Sequence, residues 1–339
     1  MGTFSTFDIF GNPLVPAPAA GAVSRPTADY RAFWDNALSS FLNYLKGRGR
    51  AENTRETYRK AIVRLFTWID ANEIPLSGIT EDVLVEYRES LKTLSSSSGN
   101  TNVVALRRFF HWLESHGYYE DVARNIEGFV SKKGFKKMPL TIQEQQRLLD
   151  YMQDRQDVPE LIRLRDYAIV NTFLLCGLRS VEVSRARICD VTTKYGQDVL
   201  MVWGKGHDRP DTPVVLTAEA MEPIRTYLEA RGAAAPDAPL FECEGRGSKG
   251  DAMSTRRIQD IVKQSLRAIG LDAHEYSTHS LRHSTGTTLL ELGASLSDVQ
   301  HVLRHKDEKV THIYVEMKHE ELMIKNSPQH LLDNVFNRK

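Results

Sequence analysis

A chain of 339 residues has room for two domains, and 41% hydrophobic with 26% charged residues is an ordinary globular composition, which excludes a disordered or fibrous chain. Lysine plus arginine equals aspartate plus glutamate at 44 each, and this zero net charge excludes a surface that is basic all over. The balance is uneven, however: residues 30–139 carry 17 basic against 13 acidic side chains, and residues 140–339 carry 26 against 29.

Residues 1–29 ("GNPLVPAPAAGAVSRP" and its flanks) read as an extended arm rich in Pro, Ala and Gly. Helical periodicity begins at Tyr30, where "YRAFWDNALSSFLNYL" sets Phe33, Trp34, Ala37, Leu38, Phe41, Leu42 and Leu45 on one stripe. "NTRETYRKAIVRLFTWIDAN" predicts a second helix, capped by Asn53 or Thr54 with Glu56 or Thr57 completing a capping box. It buries Tyr58, Ile62, Leu65, Phe66 and Ile69. "TEDVLVEYRESL" is a third helix capped by Thr80, and the serine run of "SSSSGNTNVVALRRFFHWLESHG" opens a fourth, with Gly117 just past its end. Four such helices on short loops describe an all-α bundle over residues 30–130. Lys46, Arg48, Arg50, Arg55, Arg59, Lys60 and Arg64 crowd one stretch of it against Glu52 and Glu56 alone. A solvated helix face explains that run, and an electrostatic footprint for a phosphate backbone is the alternative.

Residues 131–139 form a basic linker with Lys132, Lys133, Lys136 and Lys137, and Pro139 bars helix before it. Beyond it, "TIQEQQRLLDYM" and "LIRLRDYAIVNTFLLCG" are helices, the second apolar nearly all round and therefore central. Residues 199–203 and 212–216 are β-rich runs joined by a Gly/Asp/Pro turn, and "ICDVTT" adds a third strand. Helices return at about 217–231, 254–269, 279–292, 295–304 and 318–324. The expected class is mainly α: a four-helix bundle, then a mostly helical domain over 140–325 with a small antiparallel three-stranded sheet, then a tail over 326–339. Cys176, Cys189 and Cys243 lack C-x-x-C spacing, which argues for neither a disulfide framework nor a zinc site and fits a reduced cytoplasm. No apolar run approaches the length of a membrane span, and the opening residues do not read as a signal peptide.

Five places in the second domain carry chemistry. Arg179 follows the central helix in "LLCGLRSVEV", with Glu182 one turn on. Lys205 sits at the hairpin tip in "WGKGHD". His279 and Arg282 in "YSTHSLRHSTGTTLLELG" are i, i+3 neighbours on one helix face. His305 ends "VLRH", and Tyr314 follows in "THIYVEM". Singly, each has a local explanation: an acid-paired arginine, a solvated lysine, a helix-start histidine, a core tyrosine with its hydroxyl at the surface.

Jointly, the order Arg–Lys–His-x-x-Arg–His–Tyr resembles the tyrosine recombinase (phage integrase and Xer-type) family, and "CGLRSVEV", "GKG", "THSLRHSTGTTLLELG", "VLRH" and "IY" match its motifs in order. The resemblance covers about residues 35–325. It implies a SAM-like core-binding domain for the helical bundle, with "SSSSGNTNVVALRRFFHWL" as its last DNA-facing helix. Arg48, Arg50, Arg55, Arg59, Arg107 and Arg108, with linker lysines 132, 133, 136 and 137, are then candidate DNA contacts.

The chemistry implied is phosphodiester exchange. Arg179 and Arg282 would clamp the pentacoordinate phosphate with fork-shaped, permanently charged donors. His279 and His305 would complete the clamp, and His279 is the better candidate to draw the proton from Tyr314. Ionising a tyrosine at pH 7 costs roughly 4 kcal/mol, which neighbouring cations can supply. Lys205 would protonate the departing 5′ oxygen, leaving a 3′-phosphotyrosine whose bond energy allows rejoining without ATP. No cofactor or metal is called for. Glu182 would orient Arg179, while His283 would face elsewhere and hold the helix. One departure stands out: Arg304 replaces the glycine that the family often has before its second histidine, a substitution strained wherever φ is positive, and one that can aim at DNA phosphate.

The partners expected are double-stranded DNA with inverted half-sites, gripped between two domains, and a homotetramer on two such sites, with a hetero-partner recombinase as a variant. Leu322, Met323, Leu331, Leu332, Val335 and Phe336 supply apolar surface for exchange between protomers. The expected location is the cytoplasm, at a bacterial or phage nucleoid. A catalytically idle DNA-binding protein on the same fold and a monomeric topoisomerase of the same chemistry are the competing readings. A metal-dependent hydrolase is poorly supported, because "KHEEL" is not H-E-x-x-H.

Overall fold

A computed structural model describes residues 28–130, 137–204, 209–245, 247–272 and 274–305, together with residues 323, 324, 327 and 329. The chain divides into two compact units, residues 1–132 and 133–339. Eleven α-helices and one three-stranded sheet are found among the described residues.

The first unit is the bundle α1 (Ala28–Gly47), α2 (Glu52–Ala71), α3 (Glu81–Ser90) and α4 (Ser96–Ser115), with 3-10 turns at Leu76–Gly78 and Leu91–Thr93. Its apolar stripes meet as the sequence predicts: Phe33, Trp34 and Phe41 pack with Ile62, Leu65, Ile69, Leu84, Tyr87, Phe109 and Phe110, all buried. Aromatic pairs tie the helices together, among them Trp34–Phe66 at 4.6 Å and edge-on Phe41–Phe109 at 5.3 Å, each contributing about 0.5–1.5 kcal/mol beyond its buried area. Thr80 caps α3 by accepting from the Val83 amide, and Ser95 caps α4 through the Ser98 amide. The start of α2 differs from the expectation. Its N-cap is Ala51, with no side-chain cap, and Asn53 and Thr54 lie inside the first turn. The amides of Thr54 and Arg55 bond to the Ala51 carbonyl, so the helix winds back past both polar candidates.

The second unit opens with α5 (Ile142–Asp154), whose Thr141–Glu144 capping box is complete. α6 (Glu160–Cys176) is buried on nearly every face and packs against α5 and, further along the chain, α8 (Ala218–Arg231) and α10 (Thr278–Glu291). The short α7 (Ser180–Arg185) leads to the sheet β1 (Val191–Lys194), β2 (Gln197–Trp203), β3 (Pro210–Val215), antiparallel in the order β1-β2-β3. α9 (Thr255–Ala268) and α11 (Leu296–Leu303) complete the unit. The main core cluster surrounds α6, from Leu148 and Met152 through Ile169, Phe173 and Leu200 to Ile258, Val262 and Leu281, and a smaller one joins Leu290, Val299 and Leu303. Hydroxyls of α10 stitch it to its neighbours: Ser284 Oγ accepts the Leu140 amide at 2.8 Å, and Thr285 Oγ1 donates to the Leu174 carbonyl at 2.8 Å. No helix among the described residues is long and apolar enough to cross a membrane.

Candidate active site

The site grows from three helix ends. α6 stops because Gly177 takes the left-handed conformation, φ 55° and ψ 40°, which glycine adopts without Cβ strain. A Cβ there would lie 2.7 Å from Leu303 Cδ2, so the same glycine lets α11 approach. The chain then runs extended into Arg179, the N-cap of α7. Glu182, buried one turn later, accepts the Arg179 amide at Oε2 (2.8 Å) and Arg179 Nη1 at Oε1 (2.7 Å). The carboxylate therefore caps its own helix and orients Arg179, whose side chain is 38% exposed and open to a ligand.

α10 delivers the next group, its start fixed by Ser277, which accepts from the His279 amide at 3.2 Å. Arg282 is buried, and its guanidinium donates to the carbonyls of Gly177 and Leu303, the ends of α6 and α11. Both carbonyls lack partners within their helices, and the negative ends of two helix dipoles favour a cation there. His279 stands one turn before Arg282 and is exposed.

α11 delivers the third group. Its C-cap is Arg304 at φ 53° and ψ 44°, followed by half-buried His305. The condition under which arginine is strained is thus met, at a cost of about 1–2 kcal/mol. Nor does Arg304 reach outward to a phosphate. Its guanidinium turns inward to Glu182 Oε2 (2.9 Å) and to the carbonyls of Gly177 (3.1 Å) and Val302 (2.9 Å).

The electrostatics follow from this crowding of cations. Burial would raise the Glu182 carboxyl, but the charges of Arg304 and Arg179 with the Arg179 amide outweigh it and hold it below the usual carboxylate range. Burial pushes His305 down to about 4, with further lowering by Arg282, Arg179 and Arg304. Desolvation followed by Arg282, Arg179 and Lys137 lowers His279 as well. His283 falls to about 3, chiefly by burial and then through the charges of His279, Arg282 and His305. His283, one helical turn from His279, thus lies near enough to feel the same charges. All three imidazoles are neutral at pH 7.

Arg179, Glu182, His279, Arg282, His283, Arg304 and His305 are therefore brought together. Lys205 and Tyr314 lie outside the described residues, as do Lys132, Lys133 and Lys136. Of the other candidate DNA contacts, Arg48, Arg50 and Arg108 are exposed, and Arg55 and Arg59 pair with Glu52 and Glu56 within α2. Arg107 is half-buried and donates to the Ile126 carbonyl, which ties α4 to the following loop. Lys137 donates to the His274 carbonyl. Of the tail's apolar residues Met323 is described and exposed, and Leu322, Leu331, Leu332, Val335 and Phe336 lie outside the described residues.

Sequence reasoning missed the inward role of Arg304, and its position after "VL" in a motif that favours glycine was the one available signal. Among the described residues, His111, Glu114 and Asp121 of the first unit are spaced to hold a cation, their donor atoms within 4.8 Å, but Arg124 Nη2 already lies 2.7 Å from Glu114. A cavity of about 910 Å³ opens between α5, α6 and α8 beside Leu149, Tyr167, Leu175 and Met221, and it contains none of the clustered residues.

Comparison with known proteins bears directly on this cluster. The profile described as the phage integrase family matches residues 139–321, and that of the phage integrase N-terminal SAM-like domain matches residues 38–117. The chain is 28% identical over 285 residues to tyrosine recombinase XerD of Vibrio vulnificus (strain YJ016), covering 84% of this chain and 91% of that one. It is 31% identical over 284 residues to tyrosine recombinase XerC of Pelobacter propionicus, covering 81% and 88%. Its fold is similar to that of XerH recombinase bound to palindromic difH substrate in a post-cleavage complex, with a TM-score of 0.70 and 21% identity over 87% of this chain and 89% of that one. A lambda integrase (75–356) dimer bound to a COC′ core site gives a TM-score of 0.63 at 16% identity, covering 81% and 96%.

Proposed function

This chain belongs to the phage integrase family, and we propose that it is a site-specific tyrosine recombinase that cuts and rejoins duplex DNA through a 3′-phosphotyrosine. The observation that carries this reading is the convergence of Arg179 and Arg282 with His279 and His305, from three separate helix ends, on one half-open patch of positive charge.

Two guanidinium groups match the non-bridging oxygens of one phosphodiester, each charge-assisted bond contributing roughly 1.5–3 kcal/mol. They carry the charge that a metal ion would otherwise supply, so the reaction proceeds in EDTA. Tyr314 Oη attacks phosphorus, and its proton passes to the neutral imidazole of His279. The P–O5′ bond breaks, and Lys205 protonates the leaving oxygen. Binding of the anionic phosphate offsets the arginine charges and raises both histidines, which makes a neutral imidazole a better proton acceptor in the complex than in the free protein. His305 donates to a phosphate oxygen. Attack by the freed 5′-hydroxyl of another strand reverses the same steps.

We assign residues 30–130 to DNA binding, 131–139 to a basic linker, 140–325 to catalysis and 326–339 to exchange between protomers. The working assembly is four copies on two inverted-repeat sites in the cytoplasm. Arg48, Arg50 and Arg108 remain phosphate-contact candidates, as does the linker; Arg107 serves the bundle itself.

The test is covalent capture on a nicked duplex bearing the protein's own half-sites. Wild type forms a protein–DNA adduct, with or without EDTA, and Tyr314→Phe forms none. An adduct that survives the substitution overturns the Tyr314 assignment. Absence of adduct from the wild type on its own site would favour an idle DNA-binding protein.

A further inference from the structure

We propose that Arg304 is a positioning residue that frees the charge of Arg179 for the scissile phosphate by taking half of Glu182. This inference rests on the recombinase reading and concerns a residue where the backbone alone calls for glycine.

Three contacts carry it. Glu182 Oε1 holds Arg179 Nη1 at 2.7 Å, while Oε2 is shared between the Arg179 amide at 2.8 Å and Arg304 Nη2 at 2.9 Å. The left-handed turn also directs the Arg304 carbonyl at Arg179 Nη2, 3.3 Å away. Arg179 is thus bracketed, one guanidinium nitrogen on a carboxylate and the other on a carbonyl, with the rest of its side chain open. With glycine at position 304 the Arg179–Glu182 pair would sum to zero charge. With arginine there, the trio carries one positive charge, and Arg282 adds a second. The arrangement is costly, because Arg304 sits at positive φ and its Nε is buried without a hydrogen-bond partner among the described residues. A side chain needed only to fill space would not require a charge that must be desolvated.

Glycine at this position keeps the turn and the carbonyl and deletes the guanidinium alone, so the substitution separates charge from backbone. Two readouts apply to the full chain without DNA: inorganic phosphate titrated against the imidazole NMR signals of His279 and His305, and the titration midpoint of His305 without phosphate. Among the described residues the charges that act on His305 are those of Arg282 on α10, Arg179 at the head of α7 and Arg304 itself, with His283 a further titratable group nearby. Arg304→Gly and Arg304→Gln should weaken phosphate binding by about 10–30-fold, the effect of one unit charge roughly 8–12 Å away at an effective dielectric near 20. Both should move the His305 midpoint up from about 4 toward the ordinary histidine value, and Arg304→Lys should hold both quantities near the parent. Unchanged phosphate affinity and midpoint in Arg304→Gly would overturn the proposal. So would an equal loss in Arg304→Lys, which would make shape the cause, or a parent chain that ignores phosphate at tens of millimolar. Failure of the parent to form a DNA adduct would instead sink the recombinase reading, with the His305 titration still deciding this one.

Discussion

At the scale of the residue, the two arginines proposed as the clamp are held differently despite identical side chains. Arg179 is half open and held by Glu182, which keeps Arg304 as a partner if Arg179 is lost. Arg282 is buried on two helix-end carbonyls. Arg179→Ala should therefore abolish adduct formation, by a factor of about 100 or more, with little change in stability. Arg282→Ala should do both, destabilising the fold by roughly 2–4 kcal/mol as the Leu303 carbonyl loses its donor and the Gly177 carbonyl keeps only Arg304. Paired urea melts and adduct assays check this, and equal stability of the two variants would contradict it. The histidines give a pH prediction. Their folded-state pKa values lie below the ordinary 6.5, at about 3 for His283 and about 4 for His305. Below pH 6.5 the unfolded chain gains protons that the folded chain refuses, so stability contributed above that pH is lost as pH falls toward 3–4. Stability at pH 4.5 should be well below that at pH 7, and His283→Gln should flatten the slope; a slope unchanged by that variant would remove His283 as its source.

At the scale of the element, helix ends decide the architecture of the site: Arg179, His279 and His305 sit at or near a cap, and Arg282 reaches two helix-end carbonyls. Gly177→Ala puts a Cβ at positive φ and against Leu303, and should cost roughly 2–4 kcal/mol with loss of adduct formation, measured by denaturant melts. In the first unit, α2 starts on an uncapped Ala51 with β-like ψ of 147°. Ala51→Ser or Ala51→Asp should supply the missing acceptor and raise stability by about 0.5–1 kcal/mol, a gain that differential scanning calorimetry resolves. The capping-box pattern misplaced that cap because several polar residues in a row offer several registers. Which one wins depends on where the apolar stripe of α2 must face, and Ile62, Leu65 and Ile69 fix that by packing in the bundle.

At the scale of the whole molecule, a neutral chain reads as a poor DNA binder until its charge is resolved by region. Exposed Arg48, Arg50 and Arg108 lie on the first unit, while the second brings Arg179, Arg282 and Arg304 close together. Affinity for DNA should fall steeply between 50 and 200 mM salt, with a slope that drops by about one for each phosphate-contact arginine removed. Arg107→Ala should change stability more than that slope, because its guanidinium is spent on Ile126. Removing residues 326–339 should leave adduct formation and abolish strand exchange between sites; full exchange by the shortened chain would argue for a protein that acts alone.

The sequence by itself determined the elements and the roster. Period 3.6 in "YRAFWDNALSSFLNYL", the all-round apolar run of α6 and the glycine after Cys176 depend on local geometry, which neighbouring residues suffice to specify. Arg179, His279, Arg282 and His305 were likewise singled out by their motifs, whose order resembles that of the family. What tertiary structure decided is how those charges are shared. Only the packing of α11 against Gly177 turns Arg304 inward onto Glu182. That outcome rests on contacts between residues more than 100 positions apart, where electrostatics and burial act through space and no local pattern records them.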